Sequence, residues 1–132
     1  MQYEVDFLED DPFDVAVTLS GVAEPAGFHE GRERLLRDPR MRVGMTMLWD
    51  LSDLDLSPMR PEDLRAIAAS PGVFSTWNPR AIALVAPTDL TFGLTRMFGT
   101  FQDLDESVDH ATIVRSREDA VAWVEALPPT LG

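Results

Sequence analysis

The chain has 132 residues, 45% of them hydrophobic, which suits one globular domain spanning 1–132 and argues against disorder. Its formal net charge is −12 with a pI near 4.3, a surface that repels phosphate backbones and anionic lipid and so excludes nucleic acid as a natural partner. Cysteine and lysine are both absent, which rules out disulfides, thiolate catalysis, cysteine-held zinc, Schiff-base chemistry and a Walker-type phosphate lysine.

Tyr3, Val5 and Phe7 alternate with Glu4 and Asp6, the period of a half-buried strand. Asp10-Asp11-Pro12 makes a turn. Phe13–Leu19 reads as a second strand, with Phe13, Val15 and Val17 on one face and Gly21 ending it; together the two predict an antiparallel hairpin. Pro25 opens a helix that runs to about Arg37, where Asp38-Pro39 stops it. Phe28, Leu35 and Leu36 supply its apolar stripe, with Gly31 between them.

Met45–Leu51 is a nearly continuous apolar run, as expected of a strand covered on both faces. A second helix starts near Pro61, with Glu62 and Asp63 complementing its dipole and Leu64, Ile67 and Ala68 facing inward; Ser70-Pro71-Gly72 ends it. Val73–Pro79 is irregular. Ala81–Ala86 is another buried strand, and Thr88 caps a third helix with Leu90, Leu94, Met97, Phe98 and Phe101 on its inner stripe. Gly93 inside that helix predicts close packing. Val108–Arg115 is the last strand. Ser116 to Asp119 forms a capping-box-like start to a fourth helix, whose inner face is Ala120, Val121, Val124 and Leu127 before Pro128-Pro129.

The order β-β-α-β-α-β-α-β-α predicts an α/β fold: one mixed, mainly parallel five-stranded sheet with about four helices and right-handed crossovers. No apolar run approaches the ~20 residues of a membrane span, and the acidic start has no signal-type apolar core, so a cytoplasmic protein is expected.

Four stretches carry a resemblance to a known family. They are Leu35-Leu36-Arg37-Asp38-Pro39 and Met47-Leu48-Trp49-Asp50-Leu51-Ser52, then Phe92 to Phe98, and Val114-Arg115-Ser116 leading into Ala120 to Val124. Over about residues 13–127 the chain resembles the SpoIIAA-like small bacterial proteins, relatives of the STAS domain of anti-sigma-factor antagonists. The resemblance implies this fold and a binding or regulatory role without catalysis. Some STAS domains switch partners through a phosphorylated serine in an Asp-Ser-Ser-Gly segment opening helix two. Counted on from Asp50-Leu51-Ser52, that segment falls at Pro58-Met59-Arg60-Pro61, which holds no serine, although Ser57 lies near.

Parallel strands would gather Asp50, Ser52, Asp53, Ser57, Thr88, Asp89 and Ser116 at the carboxyl edge of the sheet, the usual ligand rim of open α/β folds. Helix capping and turn formation account for the same residues. Asp50-x-x-Asp53-x-Asp55 offers oxygen ligands for a hard cation but lacks the calcium-loop glycine and glutamate, so no metal site is assigned. His29 and His110 are the only histidines, and neither a Gly-x-Ser-x-Gly elbow nor a Gly-x-Gly-x-x-Gly loop occurs, so no catalytic residue and no cofactor is expected. Phe74 and Trp77 either plug the core or form an exposed partner patch. The acidic groups at the start (Glu4, Asp6, Glu9, Asp10, Asp11, Asp14) and at Asp103, Asp105, Glu106 and Asp109 serve solubility or face a basic partner.

The expected function is therefore a non-enzymatic binding or regulatory module for a protein or a small apolar ligand, with a homodimer as a further possibility. The alternative is a small hydrolase or phosphoryl-handling enzyme using the strand-end acids.

Overall fold

A computed structural model describes residues 1–69, 76–102 and 110–128, with the side chains of 68–69 and 97–102 set aside. The strands are β1 (Gln2–Phe7), β2 (Val15–Val22), β3 (Thr46–Asp55), β4 (Ala81–Val85) and β5 (His110–Val114). The helices are α1 (Pro25–Arg37), α2 (Pro61–Ala69), α3 (Asp89–Gln102) and α4 (Arg117–Glu125). One sheet holds all five strands in the order β1-β2-β3-β4-β5. Only β1 and β2 are antiparallel; the other neighbours run parallel. This is the mixed α/β architecture expected from the alternation of strand and helix patterns.

That strand order dictates the layering. Right-handed crossovers that always step in the same direction put every crossover helix on one face of a sheet. Accordingly Leu35 of α1, Leu64 and Ile67 of α2 and Leu94 of α3 pack in one cluster with Val15, Val17, Met47, Trp49, Ile82 and Leu84. Among the described residues only α4, which follows the last strand, lies on the other face. There Ala120 and Val124 meet Ala16, Leu48, Ala81, Ala83 and Val85. One helix cannot cover five strands. Gln2, Glu4 and Asp6 of β1 stay exposed, and Thr18 and Ser20 of β2 are half-buried.

Several local expectations are corrected. Phe13 does not share a face with Val15 and Val17; it precedes β2 and packs into the α4-side cluster. The chain bends there because Asp11 Oδ1 accepts from Phe13 N at 3.0 Å and Asp14 is clamped to β3. Gly21 does not end β2. It adopts φ +85 and the strand continues to Val22, pairing Gly21 with Leu54. β3 runs to Asp55, past the expected Leu51, because a one-residue shift between Thr18 and Ser20 lets β2 keep pairing with it. Leu90 is 54% exposed rather than inward, and among the described residues of α3 the buried ones are Thr91 and Thr95. The Thr95 hydroxyl is satisfied by donating to Thr91 O at 2.6 Å. A Cβ on Gly93 would meet nothing within 4 Å, so that glycine marks no close packing. Ser70-Pro71-Gly72, the start of the expected last strand at Val108, and the side chains of Met97, Phe98 and Phe101 lie outside the described residues.

α1 approaches the sheet closely at one point. A Cβ on Gly31 would fall well under 3.0 Å from the Tyr3 ring, and one on Gly27 would lie 2.9 Å from Met1 Sδ. The Tyr3 ring is therefore seated on the helix backbone, with the edge of Trp49 against it at 6.2 Å between centroids. Burial pushes the Tyr3 phenol well above its usual range, against the opposing pull of Arg32 and Arg34.

Candidate functional site

The carboxyl ends of β3, β4 and β5 share one edge, as the register Asp50–Val85–Val114 shows. The sheet has no reversal of strand order. In doubly wound sheets it is the reversal that splays neighbouring loops apart and opens a ligand crevice. Here consecutive loops lie side by side; most of their polar groups bond within their own turn or cap, and Arg115 reaches across to Asp89.

Asp50 Oδ1 accepts from Ser52 N at 2.9 Å and from Ser52 Oγ at 2.6 Å, tying the extra residue of the bulge. Ser57 N donates to Asp55 Oδ1 at 2.9 Å, and the Ser57 hydroxyl, together with this backbone donor, holds the Asp55 carboxyl below its usual range. Thr88 Oγ1 accepts from Thr91 N at 3.1 Å and caps α3. Ser116 Oγ accepts from Asp119 N at 3.1 Å and caps α4. Asp89 is joined to Arg115 at 2.9 Å, and the same guanidinium donates to Pro87 O and lies 4.1 Å above the Phe92 ring. The rim thus brings together Thr88, Asp89, Arg115 and Ser116 around two helix starts. Ser52, Asp53 and Ser57 are exposed farther along the overhang of β3. Arg115 and Phe92 were not assigned to the rim from sequence; an arginine at the end of a strand facing a helix start is the signal that was there to read.

Among the described residues no three carboxylate or imidazole side chains converge as a metal ion requires. His29 is half-buried on α1, with Nδ1 accepting from Arg32 Nη2 at 2.8 Å. His110 begins β5 and is half-buried. Trp77 is half-buried against the larger core cluster, its indole Nε1 buried with no hydrogen-bond partner among the described residues. Phe74 and the acidic group Asp103 to Asp109 lie outside the described residues.

A second polar region sits at the opposite margin of the sheet. A recess of about 340 Å³ opens between β1 and the first turns of α1, lined by Tyr3, Glu4, Gly27, Glu30, Gly31 and Arg34. Gly27 and Gly31 let α1 pass close to β1 beside it, with Met1 and the Tyr3 ring occupying the positions their Cβ atoms would take. Glu4, Glu30 and Arg34 are exposed at its mouth. No helix among the described residues is long and apolar enough to cross a membrane. Compared with family models, curated proteins and solved structures, the chain matches none.

Proposed function

We propose that the protein is a non-enzymatic binding module that acts through the uncovered part of its sheet. The observation that carries this reading is that, among the described residues, one helix packs on the second face and Gln2, Glu4, Asp6, Thr18 and Ser20 stay exposed or half-buried beside an acidic edge. The strand-end acids lend no comparable support to a hydrolytic or phosphoryl-handling role, since Asp50 and Asp89 are engaged by Ser52 and Arg115. The resemblance to SpoIIAA-like and STAS proteins, whose role is partner binding, points the same way.

Site-specific photo-crosslinking in the source cells tests it. A crosslinking residue at Thr18, and in parallel at Glu4, is expected to give discrete adducts that the same residue at Arg65 on α2 does not. Equal or absent adducts at all three positions would overturn the reading.

A further inference from the structure

We infer that the outer edge of β1 accepts an extended, basic peptide as a sixth strand; this rests on the binding-module reading and names the partner's chemistry. β1 ends the sheet, and its pairing with β2 fixes which backbone groups are free. In an antiparallel ladder alternate residues point both N–H and C=O toward the neighbour, and the residues between point them away. Leu8 N donates to Asp14 O at 2.9 Å in the same register, so the even-numbered residues face β2. Tyr3, Val5 and Phe7 therefore present their backbone groups outward. Among the described residues, what meets that row is Arg34 Nη1, donating to Tyr3 O at a long 3.4 Å from an exposed side chain.

Charge selects the occupant. Glu4 and Asp6 are exposed on the solvent face of β1, and Glu30 adds a third carboxylate beside the recess. A second copy pairing antiparallel about Val5 would set Glu4 against Asp6 twice, and like charges directly opposed disfavour pairing. That arrangement protects the edge against self-association. A strand with lysine or arginine at alternate positions would instead place cations against Glu4 and Asp6 on the exposed face of the sheet. Its intervening apolar residues would extend the row of Tyr3, Val5 and Phe7. Strand addition of this kind draws affinity from the backbone and selectivity from alternate side chains.

The test uses the whole chain and labelled ten-residue peptides: alternating lysine and valine, the same composition in two blocks, and alternating glutamate and valine. Binding is read by fluorescence anisotropy and by amide hydrogen exchange of β1. The alternating basic peptide is expected to bind, more weakly as salt rises, and to slow exchange at Val5 and Phe7 by about tenfold or more. Val5→Pro removes one outward donor at a position where an edge strand tolerates proline, and it should weaken binding by about tenfold while circular dichroism stays native. If that variant does not fold, the exchange result on the unmodified chain decides. Absence of binding, equal binding of the block peptide, or binding that leaves the Val5 and Phe7 amides unprotected would overturn the inference. So would protection that appears with protein concentration alone, which would mean self-pairing. Crosslinks from Thr18 together with an unprotected β1 would sink the edge strand while leaving the binding-module reading in place.

Discussion

Replacing Gly31 with alanine places a methyl group where the Tyr3 ring now lies. Two effects oppose each other. Alanine improves helix propensity by about 1 kcal/mol over glycine. Against this, inserting a methyl into a closed site costs about 1–3 kcal/mol. The half-buried ring lies well under 3.0 Å from where the new methyl would sit and packs T-shaped on Trp49, so the clash falls at the upper end and the net loss is about 2 kcal/mol. At roughly 2.1 cal/mol/K of unfolding entropy per residue, 132 residues give about 0.28 kcal/mol/K, and Tm should fall by about 7 °C. Thermal melts followed by circular dichroism measure this directly. In a Tyr3→Ala background the same Gly31→Ala change should become neutral or stabilise by about 1 kcal/mol, because only the propensity effect remains. A rise in Tm for Gly31→Ala in the otherwise native chain would show that Tyr3 does not sit on this glycine.

Gly93→Ala should raise stability by about 1 kcal/mol, visible as an upward shift in Tm, since the position is helical and its Cβ meets nothing. Asp14→Ala should cost about 1–3 kcal/mol in denaturant titrations, because Asp14 Oδ2 accepts from both Thr46 N and Thr46 Oγ1, at 2.9 and 3.1 Å; Asp14→Asn, which keeps an acceptor, should cost less. Tyr3 is the only tyrosine, so phenolate absorbance follows it alone. Burial holds its folded pKa above the ordinary value of 10.0, so the folded state keeps its proton where the unfolded state releases it. The stability this contributes is complete below pH 10.0 and is lost as pH rises beyond it. Phenolate should appear together with alkaline unfolding, and Tyr3→Phe should flatten the alkaline loss.

The parallel core was readable because Met45–Leu51 and Ala81–Ala86 are apolar on both faces, a composition few other settings explain. The start of α1 at Pro25 and the caps at Thr88 and Ser116 followed from local backbone chemistry. The extension of β3 through Ser52-Asp53-Leu54-Asp55 was not readable, because polar residues on a strand that overhangs its neighbours look like a loop. Thr91 and Thr95 escaped for a related reason: a buried hydroxyl that bonds its own helix is indistinguishable in sequence from an exposed one. The rim residues were found by position. The contact of Arg115 with Asp89 depends on β4 and β5 lying side by side, and that is a property of strand order, which residue types do not encode. The close approach of α1 to β1 depends on Gly27 and Gly31 meeting Met1 and Tyr3 some two dozen residues earlier, and spacing within the helix alone could not reveal it.

The unbroken strand order also bears on how the chain is made. A sheet that reverses must leave a slot for a strand not yet synthesised or insert it afterwards between partners already in place. Here each new strand docks on the one that left the ribosome before it, and the helix joining them closes over a seam that is already complete. The molecule can therefore assemble from its amino end in step with translation, with α4 sealing the last apolar patch once β4 and β5 are side by side.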